Sequence, residues 1–304
     1  MERPTILVTG ASGFVGGALC RQLAHSDLVA TRAALRSGAM APVAAVPSVT
    51  VKDLDAATDW AAALVGIHVV VHAAARVHVM HETATDSLAE FRRVNVEGTL
   101  NLARQAAAAG VRRFIFISSI KVNGETSQPG RPLRADDKPA PQDAYGVSKH
   151  EAEQGLHALA ATTGMEVVVI RPVLVYGPGV KANFLSMMRW VHRGVPLPLG
   201  AVHNRRSLVS LANLVDLVTT CIEHPAAAGQ TFLASDGDDV SLSQLLRALG
   251  QAMGRPARLL PVPAALLKTA ASLLGRRDLA QRLLGSLQVD ITKNRELLGW
   301  HPPY

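Results

Sequence analysis

Two residues four positions apart carry the most chemistry in this chain. In "QDAYGVSKHEAEQ", Gln142 to Gln154, Tyr145 and Lys149 are one helical turn apart, so their side chains leave the same face of a helix. A lysine cation beside a phenol, whose ordinary pKa is about 10, favours the phenolate. Such a tyrosine can give and take a proton near neutral pH. A second constellation lies at the start of the chain. In "VTGASGFVGG", Gly10, Gly13 and Gly16 stand where a strand would turn into a helix. Glycines there permit a tight turn and let backbone amides approach a pyrophosphate at the helix N-terminus. No Gly-Lys-Ser/Thr follows, so this is not a phosphate-transfer loop.

The elements that must hold these groups can be read from periodicity. "TILVT" (5–9), "RAALR" (32–36), "VTVKD" (49–53), "VVVHA" (69–73), "FIFIS" (114–118) and "EVVVIR" (166–171) are short apolar runs. Helical patterns separate them, the longest from Ser87 to Ala109, closed by Gly110. Near-continuous apolar strands alternating with helices predict a parallel sheet covered on both faces, an α/β doubly wound domain of Rossmann type. It is expected over residues 1–175, with a return segment near 206–235. Residues 176–304, richer in Pro and Gly and then in helices, are expected to form a smaller, mostly helical substrate-binding domain.

Composition narrows the function classes. Hydrophobic residues at 48% and charged ones at 18% give enough apolar surface for a packed core. The net charge of +7 suits an anionic partner, but the basic residues come in pairs such as Arg205-Arg206 and never in runs. A phosphate-bearing small molecule is therefore expected, not nucleic acid. Cys20 and Cys221 lie far apart, no apolar run is long enough to span a bilayer, and a strand begins almost at Met1. A cytoplasmic setting is the expectation.

The second strand ends on Arg36-Ser37 instead of an acidic residue. An acid there would bind the adenosine ribose hydroxyls of NAD, whereas a cation and a hydroxyl suit an added 2′-phosphate. NADP(H) is therefore expected, with NAD(H) as the alternative.

In order along the chain, "TGASGFVG", "DL" (Asp53-Leu54), "HAAA" (72–75), "VNVEGT" (94–99), "SSIKVNG" (118–124), "YGVSK", "RPVLVYGPG" (171–179) and "LGWHPP" resemble the extended short-chain dehydrogenase/reductase family over nearly the whole length. The resemblance implies that Ser119, Tyr145 and Lys149 are catalytic, Ser119 hydrogen-bonding the reacting oxygen and Lys149 also holding the nicotinamide ribose. It implies a cofactor site of Gly10, Ser12, Gly13, Phe14, Val15, Gly16, Arg36, Asp53, Leu54, Ala73, Ala74, Ala75, Asn95, Tyr145, Lys149 and Pro172. Asn95 would order the active-site strands or serve a proton relay. For a nucleotide-sugar member it implies that Asn183 and Arg206, with Ser119, bind a UDP-sugar, and that the chain is a homodimer. His68, His72, His78 and His81 match no zinc spacing, and no metal is expected.

Departures from the family pattern sort the reactions. Ser119 is followed by Ile120-Lys121 where 4,6-dehydratases carry Asp-Glu, which disfavours dehydration. Val122-Asn123-Gly124 replaces the "VYG" of many 4-epimerases. "SSIKVNGE" and the segment "VKANFLSMMRWVHRGVPLPLGAVHNRRSLV" resemble bacterial O-antigen enzymes that reduce a UDP-4-keto-6-deoxy-N-acetylhexosamine. The expectation is a C4 ketoreductase with Tyr145 as proton donor, with a UDP-hexose 4-epimerase as the alternative. A reductase of an apolar carbonyl compound and a non-catalytic dinucleotide sensor stand further away.

Overall fold

The computed structural model describes residues 3–77 and 86–304. Its elements run β1 (Thr5–Thr9), α1 (Phe14–Leu23), β2 (Ala30–Arg36), β3 (Ser48–Val51), α2 (Ala61–Leu64), β4 (Val69–His72), α3 (Ser87–Phe91) and α4 (Thr99–Ala108). They continue through β5 (Arg113–Ile117), α5 (Ala144–Thr163), β6 (Glu166–Pro172), β7 (Leu174–Tyr176), α6 (Ala182–His192), β8 (Arg206–Ser210) and α7 (Leu211–Glu223). Last come β9 (Thr231–Ala234), β10 (Asp239–Val240), α8 (Leu242–Ala252), α9 (Ala264–Leu273), α10 (Arg277–Leu284) and α11 (Thr292–Leu298).

Seven strands pair in the order β3-β2-β1-β4-β5-β6-β9, every pairing parallel. Strand side chains alternate between two cores, as the two-residue period of a strand requires. Ile6, Val8, Val69, Val71, Ile115, Val168 and Ile170 face the layer that includes Leu19 of α1 and Leu214, Leu217 and Val218 of α7. Leu7, Val70, Phe114, Phe116, Val167 and Val169 face Leu102 and Ala106 of α4 and Ala152 and Leu156 of α5. That two-sided burial is why the strands read as unbroken apolar runs. The order reverses between β1 and β4, so loops at their C-terminal ends diverge and leave a crevice.

The predicted helix from Ser87 to Ala109 is a helical run with an inserted π segment, Arg92–Gly98. The π segment ends at Gly98, where a Cβ would lie 2.8 Å from Leu54 Cγ and 2.9 Å from the Leu54 carbonyl carbon. The loop after β3 is thus seated directly on this helix. A second, three-stranded sheet orders β10-β8-β7. Beyond it, α6, α8, α9 and α10 share a separate apolar core built on Phe184, Met187, Val191, Leu242, Leu246 and Leu284.

Candidate active site

The glycine loop is shaped by close approach. Gly10 has φ +66°, and a Cβ on it would stand 2.7 Å from the Ala74 nitrogen; one on Gly16 would stand 2.3 Å from the Gly10 carbonyl oxygen. The loop after β1 therefore presses against Ala73-Ala74 after β4, at the reversal of strand order; a side chain at Gly10 would push these apart, and one at Gly16 would push α1 off the loop that precedes it. Gly13 caps α1 with no side-chain hydrogen bond. Ser12 and Gly13 are exposed and Phe14 and Val15 half-buried, so the first-turn amides of α1 face an open crevice. An uncapped helix N-terminus of this kind suits a pyrophosphate.

His72 fixes the other wall. Its Nδ1 lies 2.7 Å from Thr9 Oγ1 and its Nε2 2.9 Å from Thr99 Oγ1, while the Ala74 amide donates to Thr9 Oγ1 at 3.3 Å. Burial, and then the Lys149 charge, push the imidazole down to about 3, so it is neutral and ties β1, β4 and α4 together. Its neighbour His68 accepts the Thr5 amide at 3.1 Å; His78 and His81 lie outside the described residues.

Asn95, buried in the π segment, spends its amide on positioning. Its Oδ1 accepts the Arg76 amide at 2.8 Å, and its Nδ2 donates to the Arg76 carbonyl at 3.0 Å and to Ser148 Oγ at 3.1 Å. Ser148 in turn donates to the Tyr145 carbonyl at 2.8 Å. The loop that carries Ala73 to Ala75 is thereby tied to the helix that carries Tyr145.

Ser119 caps a short 3₁₀ turn, Ile120–Val122, at the end of β5, its Oγ accepting the Lys121 amide at 3.2 Å. Asp143 caps α5 and accepts the Gly146 amide at 2.7 Å; its other oxygen pairs with Lys121. The two turns touch at Gly146, where a Cβ would lie 3.0 Å from the Lys121 carbonyl oxygen. Tyr145 meets the Phe91 ring edge-on at 5.9 Å.

Lys149 is 2% exposed. Its Nζ donates to the Ile117 carbonyl at 2.9 Å, lies 4.3 Å from the centre of the Phe116 ring and 6.0 Å from that of Tyr145. Burial pushes this amine down to about 7, and Glu153 pulls it partly back. Packing around the Tyr145 ring, and then Asp143, push the phenol up. The expected lowering of Tyr145 by Lys149 is therefore not what this arrangement gives: the amine points along β5 toward Ile117, and burial outweighs its charge.

Beneath these groups runs a buried polar network that sequence reasoning missed. Arg171 donates from Nη2 and Nε to Glu153 at 2.5 and 2.9 Å, and from Nη1 to Asn123 Oδ1 at 2.9 Å. Ser118 Oγ donates to Glu153 at 2.5 Å. The signal was present: Glu153 follows Lys149 by one helical turn, and a buried strand ending in arginine needs an acidic partner.

The remaining candidates are scattered. Arg36 and Asp53 face each other across the ends of β2 and β3 at 3.9 Å, both well exposed. Leu54 packs on Gly98, and Pro172 is buried at the end of β6. Arg206 donates from Nη1 to the carbonyls of Arg282 and Gly285 at 2.8 and 3.1 Å, which turns it toward the end of α10. Asn183 occupies the second position of α6; its side chain lies outside the described set.

A parallel sheet whose order reverses at a glycine loop, with an uncapped helix facing the crevice, defines a Rossmann-type dinucleotide-binding chain. Residues 6–234 match the NAD dependent epimerase/dehydratase family, and the chain belongs to it. It is 50% identical over 300 residues to a UDP-glucose 4-epimerase of Vibrio cholerae, covering 98% of this chain and 91% of that one. Among solved structures, it shares the fold of UDP-glucuronic acid 4-epimerase from Bacillus cereus in complex with NAD, at TM-score 0.78 and 21% identity over 99% and 94% of the two chains. MoeE5 in complex with UDP-glucose and NAD superimposes at TM-score 0.76 and 23% identity, over 99% and 94%.

Proposed function

We propose that this chain is a UDP-hexose 4-epimerase that retains NAD. The observation that carries the reading is the 50% identity, across 98% of the chain, with a UDP-glucose 4-epimerase. The site supports it through Ser119 and Tyr145, carried on two turns in van der Waals contact at Gly146.

The residues present fit a dinucleotide. The uncapped α1 amides, with Gly10, Ser12, Gly13, Phe14, Val15 and Gly16, would hold the pyrophosphate; Ala73 to Ala75 and Pro172 would line the path to the nicotinamide, and Arg36, Asp53 and Leu54 the adenosine. When bound, the nicotinamide supplies reversible hydride acceptance at the sugar C4. Asn95 acts here as a positioning residue.

The chain's own residues handle the proton. Tyr145 Oη, which the positive charge of a bound oxidised nicotinamide would bring toward the phenolate against the pull of burial, would take the proton of the C4 hydroxyl as the carbon is oxidised and return it after the sugar has turned its other face. Ser119 Oγ holds the same oxygen and donates to it when charge develops there. Lys149, poised near neutrality by burial, would turn its amine from the Ile117 carbonyl to bind the nicotinamide ribose. Asn183 and Arg206 hold the substrate diphosphate, whose oxygens match the forked donors of a guanidinium; Arg206 would exchange the carbonyls of Arg282 and Gly285 for it.

A second reading, C4 reduction of a UDP-4-keto-6-deoxy-N-acetylhexosamine with NADPH, draws on Arg36 at the exposed end of β2. One assay separates the two. Purified protein incubated with UDP-glucose and no added cofactor should yield UDP-galactose. Absence of interconversion, with stoichiometric NADPH loss on a UDP-4-keto sugar, would replace the epimerase by the reductase.

A further inference from the structure

The corner formed by α9 and the segments flanking it has the makings of a docking face that the sugar chemistry does not use. α9 buries none of its residues. Only one side of it, Leu267 and Ala271, packs partly against the smaller core. The adjoining, outward side carries Leu266, Ala270 and Leu273 at spacings of four and three, one continuous stripe on a helix. Leu266 is 61% exposed, Leu273 84%, Leu274 just beyond the helix 74%, and Leu260 on the way in 52%. An isolated exposed leucine is ordinary; four within one helical corner make a patch.

The chain leading through the patch is rich in cations, with Asp278 the first acid after it. From Ser241 to Arg277 the sequence holds six basic residues, Arg247, Arg255, Arg258, Lys268, Arg276 and Arg277, and no acidic one. Arg258 and Arg276, just before and just after the leucines in the chain, are exposed; Lys268 is exposed too, but on the far side of α9 from Leu266 and Leu273. Arg255 and Arg247 are partly engaged by the carbonyls of His192 and Gly200. A second copy of the chain is a poor cover, because an isologous contact would set these cations against themselves. Free phosphate would leave the leucines in water. A surface that is apolar within and anionic outside satisfies both sets of groups.

We propose that this corner seats the protein on an anionic lipid bilayer, with Leu266, Leu273 and Leu274 entering the headgroup boundary and Arg258 and Arg276 meeting lipid phosphates. The attachment is peripheral: no helix among the described residues is long and apolar enough to cross a membrane. It goes beyond the sugar chemistry, and its test reads lipid binding and not turnover.

The experiment is co-sedimentation of the full chain with vesicles of mixed phosphatidylglycerol and phosphatidylcholine, against phosphatidylcholine alone, at low and high salt. The protein should pellet with the anionic vesicles only, and less at high salt. Arg258→Gln/Arg276→Gln should weaken partition about thirtyfold, taking each cation near the surface at its typical worth. Leu266→Gln/Leu273→Gln, at positions outside any core, should weaken it about tenfold while circular dichroism and epimerase activity stay unchanged. Failure to pellet with anionic vesicles would overturn the proposal, and so would equal binding to both compositions. A dimer that Leu273→Gln dissociates would also overturn it, since a second copy would then be what covers the face.

Discussion

The Lys121 carbonyl oxygen lies 3.0 Å from where a Cβ on Gly146 would sit. This contact sets the turn carrying Ser119 against the first turn of the helix carrying Tyr145. Gly146→Ala must shift one against the other by a few tenths of an ångström. Alanine's better helix propensity supports α5 itself, so the loss should fall on kcat, by ten- to a hundredfold, with bound nucleotide unchanged. Steady-state kinetics alongside nucleotide content checks this; an unaltered kcat would show that the contact does not set the geometry.

Glu153 and Arg171, 3% and 6% exposed in their side chains, should be far more costly to separate than to replace together. Glu153→Gln leaves the Arg171 charge buried and should cost about 3–5 kcal/mol in urea unfolding, whereas Glu153→Met/Arg171→Met should recover much of it. The single variant also removes what pulls the Lys149 amine up toward about 7. The pH profile of its residual activity should therefore move to lower pH.

At the adenosine end, Arg36→Asp should shift the ratio of NADP to NAD affinity toward NAD by at least tenfold, since a cation facing Asp53 at 3.9 Å would become a second carboxylate. Isothermal titration of protein stripped of nucleotide measures the ratio. An unchanged ratio would clear Arg36 of any part in cofactor choice.

His72 gives the fold a pH dependence. Its imidazole sits at about 3 when folded, against an ordinary value of 6.5. The unfolded chain therefore binds the extra proton between those values, and stability present above pH 6.5 is lost as pH falls toward 3. The slope should approach about 1 kcal/mol per pH unit between pH 6 and 4. His72→Gln, able to bridge Thr9 and Thr99 without titrating, should flatten it in denaturant melts at several pH values.

Much of this was legible before any coordinates. The strand runs, the glycine turn and the Tyr145–Lys149 spacing follow from local periodicity and backbone freedom, and the strands form within a residue or two of where those signals place them. What escaped depends on distant partners. Nothing local marks the π segment, on which Leu54 packs at Gly98 and from which Asn95 reaches both Arg76 and Ser148. The direction of the Lys149 amine is likewise set by Ile117 and Phe116, 32 residues or more away. Arg206 shows the same limit: the resemblance implies a diphosphate partner, and nothing local marks its hydrogen bonds to the carbonyls of Arg282 and Gly285.

The central claim, that hydride leaves C4 and returns to it without leaving the protein, is tested most directly with UDP-glucose deuterated at C4. Incubated with purified protein and no added cofactor, it should give UDP-galactose with the deuterium fully retained at C4, and Tyr145→Phe should give almost none. Deuterium washed out of C4, or no epimer at all beside stoichiometric consumption of NADPH by a UDP-4-keto sugar, would contradict the account.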